Sequence, residues 1–170
     1  ADVIVATGHP FNDRRLALAR RLRWIQAMTT GTDAILGSKT LRPEVIVTST
    51  RGIHGPQMSE MAFLYMLTLA RNYPAVHDNK KRHEWKRTNQ VRLYGKTVVI
   101  LGMGLTAEAL APRCKAFGMT VIGVTRHPRA AAGFDRVCAY GDFGQAVALA
   151  DFLVVLAPYS TQTDSMINAR

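Results

Sequence analysis

Short apolar runs bounded by polar or glycine-bearing stretches recur along the chain, and they alternate with segments of helical spacing. Residues 1–6, ADVIVA, predict a short buried strand. A basic amphipathic helix is expected over 12–21, with Leu16, Ala19 and Leu22 at helical spacing. Residues 22–28 and 45–48 predict two more strands. Residues 57–71, QMSEMAFLYMLTLAR, predict a long helix with apolar residues around almost its whole circumference, Met58, Met61, Phe63, Leu64, Met66, Leu67 and Leu69. A helix with so little polar face is expected to be buried, between domains or between subunits. Asn72-Tyr73-Pro74 stops it. Residues 75–92 are polar and basic, a surface helix or connector that Trp85 is expected to anchor by packing. Further on, 137–139 predicts an edge strand, 143–150 a helix, 151–156 a buried parallel strand, and Thr163 the first turn of another helix.

Residues 96–128 organise the rest. The β-forming run Thr97-Val98-Val99-Ile100-Leu101 leads into Gly102-Met103-Gly104-Leu105-Thr106-Ala107, the pattern G-x-G-x-x-A. An amphipathic segment follows to Phe117, Gly118 ends it, and a second β run covers 119–124. This is one β-α-β unit with glycines in its first turn, the layout that binds a dinucleotide. Gly102 permits a tight turn, Gly104 lets the backbone approach a pyrophosphate, and Ala107 is small enough for the helix to pack close to the sheet. The helix N-terminus offers unpaired N–H groups and a positive dipole end to phosphates.

The end of the second strand bears on which dinucleotide. An NAD site usually carries Asp or Glu about 20 residues after the glycines, accepting from the ribose hydroxyls. Here the strand ends Gly123-Val124-Thr125-Arg126-His127-Pro128-Arg129, without an acid. Thr125 can donate a hydrogen bond and Arg126 can pair with a 2′-phosphate through its planar fork. The reading is NADP over NAD, with NAD possible. Its plain rival is that Arg126 and Arg129 are solvated surface charges.

Composition narrows the class. The chain of 170 residues is 48% hydrophobic and 20% charged, which suits one full globular domain or two partial ones. Its two cysteines, Cys114 and Cys138, lack metal-type spacing and fit reduced thiols in a cytoplasmic protein. No apolar run has the length of a membrane span, and no metal site is indicated. The formal net charge of +10 fits either nucleic acid or anionic cofactors and substrates. The basic cluster at residues 80–87 lacks any RNP-type or zinc-finger pattern, so a solvated connector is favoured over a nucleic-acid partner. Thr29-Thr30-Gly31-Thr32-Asp33 forms a strand-to-helix loop whose N–H groups can hold a carboxylate. Taken alone it reads more simply as a capped turn.

Five stretches together resemble the D-isomer-specific 2-hydroxyacid dehydrogenase family, and they cover nearly the whole chain. They are Leu22-Arg23-Trp24-Ile25-Gln26 with Thr30-Gly31-Thr32-Asp33; Arg51-Gly52-Ile53-His54-Gly55-Pro56 through to Arg71; Leu93-Tyr94-Gly95-Lys96-Thr97; the glycine turn with Ala116-Phe117-Gly118-Met119; and Ala150-Asp151 to Pro158 with Thr161 and Thr163. The resemblance implies an α/β fold: an incomplete Rossmann-type doubly wound parallel sheet at 53–170, the NAD(P)-binding domain, and part of a flavodoxin-like substrate-binding domain at 1–52. It implies an oxidoreductase that transfers a hydride between NADP(H) or NAD(H) and a small D-2-hydroxy acid or 2-oxo acid such as glyoxylate or hydroxypyruvate. Carried over position by position, Thr30, Gly31 and Thr32 hold the substrate carboxylate. Gly102, Met103, Gly104, Leu105, Thr106, Ala107, Thr125, Arg126, Ala157 and Pro158 contact the cofactor. The family's catalytic Arg, Glu and His match no position here: Arg170 lies several elements too early, and His54, His77, His83 and His127 fall elsewhere. They are expected beyond residue 170, with the chain read as an internal fragment. Ala107 stands where the third glycine is commoner, and Thr125-Arg126 stands where NAD-preferring members carry an acid. A homodimer through the 57–71 helix is expected, with no membrane or nucleic-acid partner. The rival reading is a non-catalytic dinucleotide-binding module or corepressor-like member of the same family.

Overall fold

The structure, a computed structural model, describes residues 1–7, 11–160 and 163–168. The chain divides into two compact units: Ala1–Ile53 together with Pro158–Arg170, and His54–Ala157.

The first unit holds strands β1 (Val3–Ala6), β2 (Trp24–Ala27) and β3 (Ile46–Ser49), all parallel and in the order β1-β2-β3. Helix α1 (Asp13–Leu18) follows β1, and the four-residue α2 (Asp33–Leu36) follows β2. Alternation sets the burial: Ile25 and Ala27 of β2 point into a core with Phe11, Leu16, Leu22, Ile35 and Val45. Asn12 caps α1, its Oδ1 accepting from the Arg15 amide at 3.0 Å. The helix ends at Leu18 rather than at residue 21, since the amide of Ala19 turns back to Leu16 O and closes it.

The second unit holds β4 (Thr97–Leu101), β5 (Thr120–Thr125), β6 (Arg136–Ala139) and β7 (Phe152–Val155), parallel and in the order β6-β5-β4-β7. Renumbered within the unit this is 3-2-1-4, the start of the doubly wound order, with its reversal between β4 and β7. Helix α5 (Leu105–Ala116) links β4 to β5. Val98 and Ile100 of β4 pack with Leu110, Ala111 and Cys114 of α5 and with Val121 of β5. Burial pushes the Cys114 thiol up to about 11, so at neutral pH it is an inert core group. Pro112 lies inside α5, and beside the hydrogen bond it removes, Arg113 turns its guanidinium onto the Ala109 carbonyl. β7 is only half buried, contrary to its apolar run, because it forms one edge of the described sheet. The short α6 (Phe143–Val147) precedes it.

Within this chain helix α3 (Gly55–Ala70) is covered along one face. Its buried residues Gly55, Ser59, Phe63, Met66 and Ala70 follow each other at three or four positions, a single stripe. Gly55 sits so close to Ala109 of α5 that a Cβ there would lie 2.8 Å from it. The other faces remain open: Met58, Met61, Leu64, Tyr65 and Leu69 are exposed, Leu69 at 71%. Trp85 departs from expectation. It follows helix α4 (Tyr73–Lys81) and is 93% exposed, so it is not packed down as an anchor among the described residues.

Two carboxylates tie strand starts in place. Asp151 accepts from Lys96 Nζ at 2.7 Å and the Thr97 amide at 2.9 Å. Asp135 accepts from Lys115 Nζ at 2.7 Å and the Val121 amide at 2.8 Å. The lysine contact first, and then the amide, holds each carboxyl below the ordinary carboxylate range. A folded-state value below the unfolded one gives stability that is present above about pH 4 and lost as the pH falls through the folded value. The Asp135→Asn/Asp151→Asn double variant should therefore lose less stability between about pH 5 and pH 3 than the parent. At pH 7 it should be weaker by no more than about 1 kcal/mol per pair, since both pairs are half exposed. Urea titrations at several pH values measure both.

Candidate functional site

The strand order reverses between β4 and β7, and open sheets of this kind bind ligands beyond the carboxyl ends of the strands at such a point. Gly102 follows β4 directly, at φ +97°. Its amide donates to Val124 O at 2.8 Å, and a Cβ on it would lie 2.5 Å from Ala157 N and 2.7 Å from Ala157 Cα. The turn after β4 and the chain after β7 thus touch at this point, and only a residue without a side chain lets them. Met103 is buried beneath the turn. Gly104 has the opposite surroundings: a Cβ there would meet nothing within 4 Å. The space above its backbone is open, as a close-approaching phosphate needs.

Gly104 also stands as the residue before α5, and the first α5 hydrogen bond runs from the Glu108 amide to Gly104 O at 3.0 Å. The amides of Gly104, Leu105, Thr106 and Ala107 precede that bond and have no partner among the described residues. A helix end of this kind suits an anion, with the helix dipole behind it. Ala107 is fully buried against the sheet, as a small residue in the third position must be. The open cradle at Gly104 and the free amides fit a pyrophosphate.

At the end of β5, Thr125 is half buried and Arg126 exposed. Arg126 makes no hydrogen bond or ion pair among the described residues. Arg129 does: its Nη2 lies 2.5 Å from Oε1 of Glu108, in the first turn of α5. The two arginines therefore differ: among the described residues Arg126 has no partner, and Arg129 is held by Glu108. Nothing in local spacing signals that pair, since its members stand 21 positions apart. Ala157 meets Gly102 as described, and Pro158, next in the chain, groups with the first unit.

In the first unit, Thr30, Gly31 and Thr32 lie between β2 and α2. Thr29 Oγ1 donates to Gly31 O at 2.9 Å, and Thr30 Oγ1 to Thr50 O at 3.1 Å, which fixes the loop. Thr32 stands at the N-cap of α2 but makes no side-chain capping bond. The amides of Thr30, Gly31 and Thr32 have no partner among the described residues. Residues 163–165 form a turn rather than the first turn of a helix. Thr163 Oγ1 donates to Pro158 O at 2.8 Å, and Ser165 takes φ +54°. Thr161 and Arg170 lie outside the described residues. Among the described residues no group of three or more His, Cys, Asp or Glu is placed to hold a metal, and no helix is long and apolar enough to cross a membrane.

Residues 63–170 match the family described as D-isomer specific 2-hydroxyacid dehydrogenase, NAD binding domain. Over 98% of its length the chain is 30% identical to a D-3-phosphoglycerate dehydrogenase of Methanocaldococcus jannaschii, of which it spans 33%. Over 88% of its length it is 28% identical to a glyoxylate reductase of Pyrococcus furiosus, of which it spans 47%. The chain thus covers half or less of the curated relatives it matches. Among solved structures, a D-isomer specific 2-hydroxyacid dehydrogenase family protein from Aeromonas salmonicida superposes with a TM-score of 0.87 at 34% identity, covering 96% of this chain and 52% of that one. An NADPH-dependent glyoxylate/hydroxypyruvate reductase from Sinorhizobium meliloti, in complex with NADP and sulfate, superposes with a TM-score of 0.82 at 26% identity, covering 95% of this chain and 50% of that one.

Proposed function

The chain belongs to the D-isomer specific 2-hydroxyacid dehydrogenase family, and on that premise we propose that it carries the cofactor-binding part, and a piece of the substrate-binding part, of an NADP-preferring reductase of small 2-oxo acids such as glyoxylate or hydroxypyruvate. The observation that carries this reading is the β5 terminus. Thr125 and Arg126 stand where an NAD site usually carries an acid, beside the glycine loop at the switch point of the sheet, and among the described residues neither Arg126 nor the amides of that loop's helix end have a partner.

Each residue then has a task. Gly102, Met103, Gly104, Leu105, Thr106 and Ala107 seat the pyrophosphate through backbone amides. Thr125 and Arg126 take the ribose 2′-phosphate, Arg126 through its fork. Ala157 and Pro158 line the cofactor from the end of β7. Residues 1–52 are assigned to the substrate-binding domain and 53–170 to the nucleotide domain. In the former, the amides of Thr30, Gly31 and Thr32 hold the substrate carboxylate and so orient the carbonyl. When bound, the nicotinamide supplies the hydride. The proton goes to the carbonyl oxygen from a His that, with its Glu and the carboxylate-binding Arg, is assigned to positions outside these 170 residues. The two buried thiols suit a cytoplasmic setting. The test is NADPH oxidation, followed by absorbance, by the longest natural form of the protein with glyoxylate or hydroxypyruvate. Turnover supports the reading. Cofactor binding without turnover on any small 2-oxo acid supports a non-catalytic binding module instead.

The open faces of α3 support a homodimer, because Met58, Met61, Leu64, Tyr65 and Leu69 otherwise leave a long apolar surface in water. Sedimentation at micromolar concentration should give a dimer, and Leu64→Glu with Leu69→Glu should give a monomer. A monomeric parent chain removes the assignment.

A further inference from the structure

We propose that Gln26 and Thr50 are positioning residues for the substrate loop: with Trp24 and Thr48 they form a chain of hydrogen bonds across one face of the first unit's sheet, and that chain ends on Thr30. The inference rests on the reading that the amides of Thr30, Gly31 and Thr32 take the substrate carboxylate. It gives a task to Trp24 and Gln26, which that reading leaves without one.

Side chains alternate along a strand, so Trp24 and Gln26 of β2 share the face opposite Ile25 and Ala27, which point into the core. Thr48 of β3 stands beside Gln26 in the parallel register, on the same face. Trp24 Nε1 donates to Thr48 Oγ1 at 2.8 Å. The Thr48 hydroxyl donates to Gln26 Oε1 at 2.7 Å, with Ile25 O a more distant acceptor at 3.4 Å. Gln26 Nε2 in turn donates to Ala27 O at 3.0 Å. Thr50 meets the same carbonyl twice, through its amide at 3.1 Å and its hydroxyl at 3.1 Å. It is thereby pinned one rung beyond the end of β3. Its own carbonyl accepts from Thr30 Oγ1 at 3.1 Å.

A loop whose amides are to be kept for a ligand has to be held by other groups. Here the hydroxyls of Thr29 and Thr30 hold it, the first on Gly31 O within the loop and the second on Thr50 O outside it. The second bond anchors the loop only as well as Thr50 is itself fixed. Each bond of such a chain polarises the next, so removing the Thr50 hydroxyl or the Gln26 amide loosens the rung on which Thr30 rests. The carboxylate contact then weakens. Residues 102–107, assigned to the cofactor, lie in the other unit and lose no partner. An interaction made equally with substrate and transition state shows in KM and not in kcat.

The test is steady-state kinetics on the longest natural form of the protein, with NADPH and with glyoxylate or hydroxypyruvate, together with the NADPH dissociation constant and thermal midpoint of each variant. Thr50→Val keeps the shape and removes the hydroxyl; Gln26→Met keeps the length and removes the amide. Each should raise KM for the 2-oxo acid about three- to tenfold and leave kcat and the NADPH dissociation constant within about twofold. Thr50→Ser should restore most of the parent KM. Thr40→Val is the control: it loses a hydroxyl bond of 2.8 Å to Asp13 O in the same unit, at the start of α1, and should leave KM unchanged. A KM that rises as much in Thr40→Val, or that Thr50→Ser does not recover, would mean general loosening of the unit and would overturn the proposal. Gly31→Pro, which removes a loop amide, separates this failure from failure of the underlying reading. If it raises KM while Thr50→Val and Gln26→Met do not, the carboxylate loop stands and the positioning role falls. If none of the three moves KM, or if the parent turns over neither 2-oxo acid, both fall.

Discussion

Replacing Gly102 with alanine should destabilise the His54–Ala157 unit by about 3 kcal/mol, the largest stability effect expected of a single methyl group in this chain. Two costs add. The backbone at φ +97° is one that L side chains rarely adopt, which costs on the order of 1–3 kcal/mol. The new Cβ would also stand 2.5 Å from Ala157 N and 2.9 Å from Leu156 C, both backbone atoms with no rotamer to yield. Relief requires the chain after β7 to move away from β4, and overpacking of this kind costs roughly 1–3 kcal/mol. The thermal midpoint should fall by on the order of 10–20 °C, read by circular dichroism. Gly104→Ala is the matched control. Its Cβ meets nothing within 4 Å, so it should leave stability nearly unchanged and weaken dinucleotide binding instead. If both variants melt alike, the division of labour between the two glycines is wrong.

Replacing Arg126 with alanine should cost NADPH about 10- to 100-fold in affinity and leave NADH within about twofold. The reasoning is that a hydrogen bond to a charged group contributes roughly 1.5–3 kcal/mol, and that a bidentate guanidinium–phosphate contact sits at the upper end. Arg126 has no partner among the described residues, so its removal breaks nothing else, and its effect on the thermal midpoint should be negligible. Thr125→Asp should go further and invert the preference, since a carboxylate at the end of β5 accepts from ribose hydroxyls and repels a phosphate. Titration of each variant with both cofactors gives the ratio directly. A ratio unchanged by Arg126→Ala would place the 2′-phosphate elsewhere.

The nucleotide-binding unit was legible because its signals are local. Apolar runs at 97–101 and 119–124, with glycines at the first turn, leave one arrangement for the β-α-β unit, and β4, α5 and β5 lie there to within a residue or two. Thr125 and Arg126 could be placed at a strand end for the same reason. What escaped depends on surfaces and on distant pairs. How much of α3 is covered is one such case: its apolar circumference predicts burial between domains or between subunits, and this chain by itself covers one face, leaving Leu64 and Leu69 exposed. Trp85 reads as an anchor by its size, but among the described residues nothing covers it and it is exposed. The run at 151–156 has the composition of a central strand while β7 is half buried, because neighbours rather than composition decide burial in a sheet. The Glu108–Arg129 pair joins a helix start to a loop 21 positions on, and no periodicity marks such a contact. The assignment of Thr30, Gly31 and Thr32 to a substrate loop rested on resemblance more than on pattern, since a capped turn explains the same letters; in the structure Thr32 stands at the N-cap of α2 without a side-chain capping bond.

The most direct test of the account is a calorimetric titration of the chain with NADPH and, separately, with NADH. The account predicts saturable binding of one dinucleotide per chain, tighter for NADPH, with Gly104→Ala weakening both and Arg126→Ala weakening only NADPH. Failure of the folded chain to bind either dinucleotide would contradict the claim that the open turn at Gly104 and the free amides of residues 104–107 form a cofactor site.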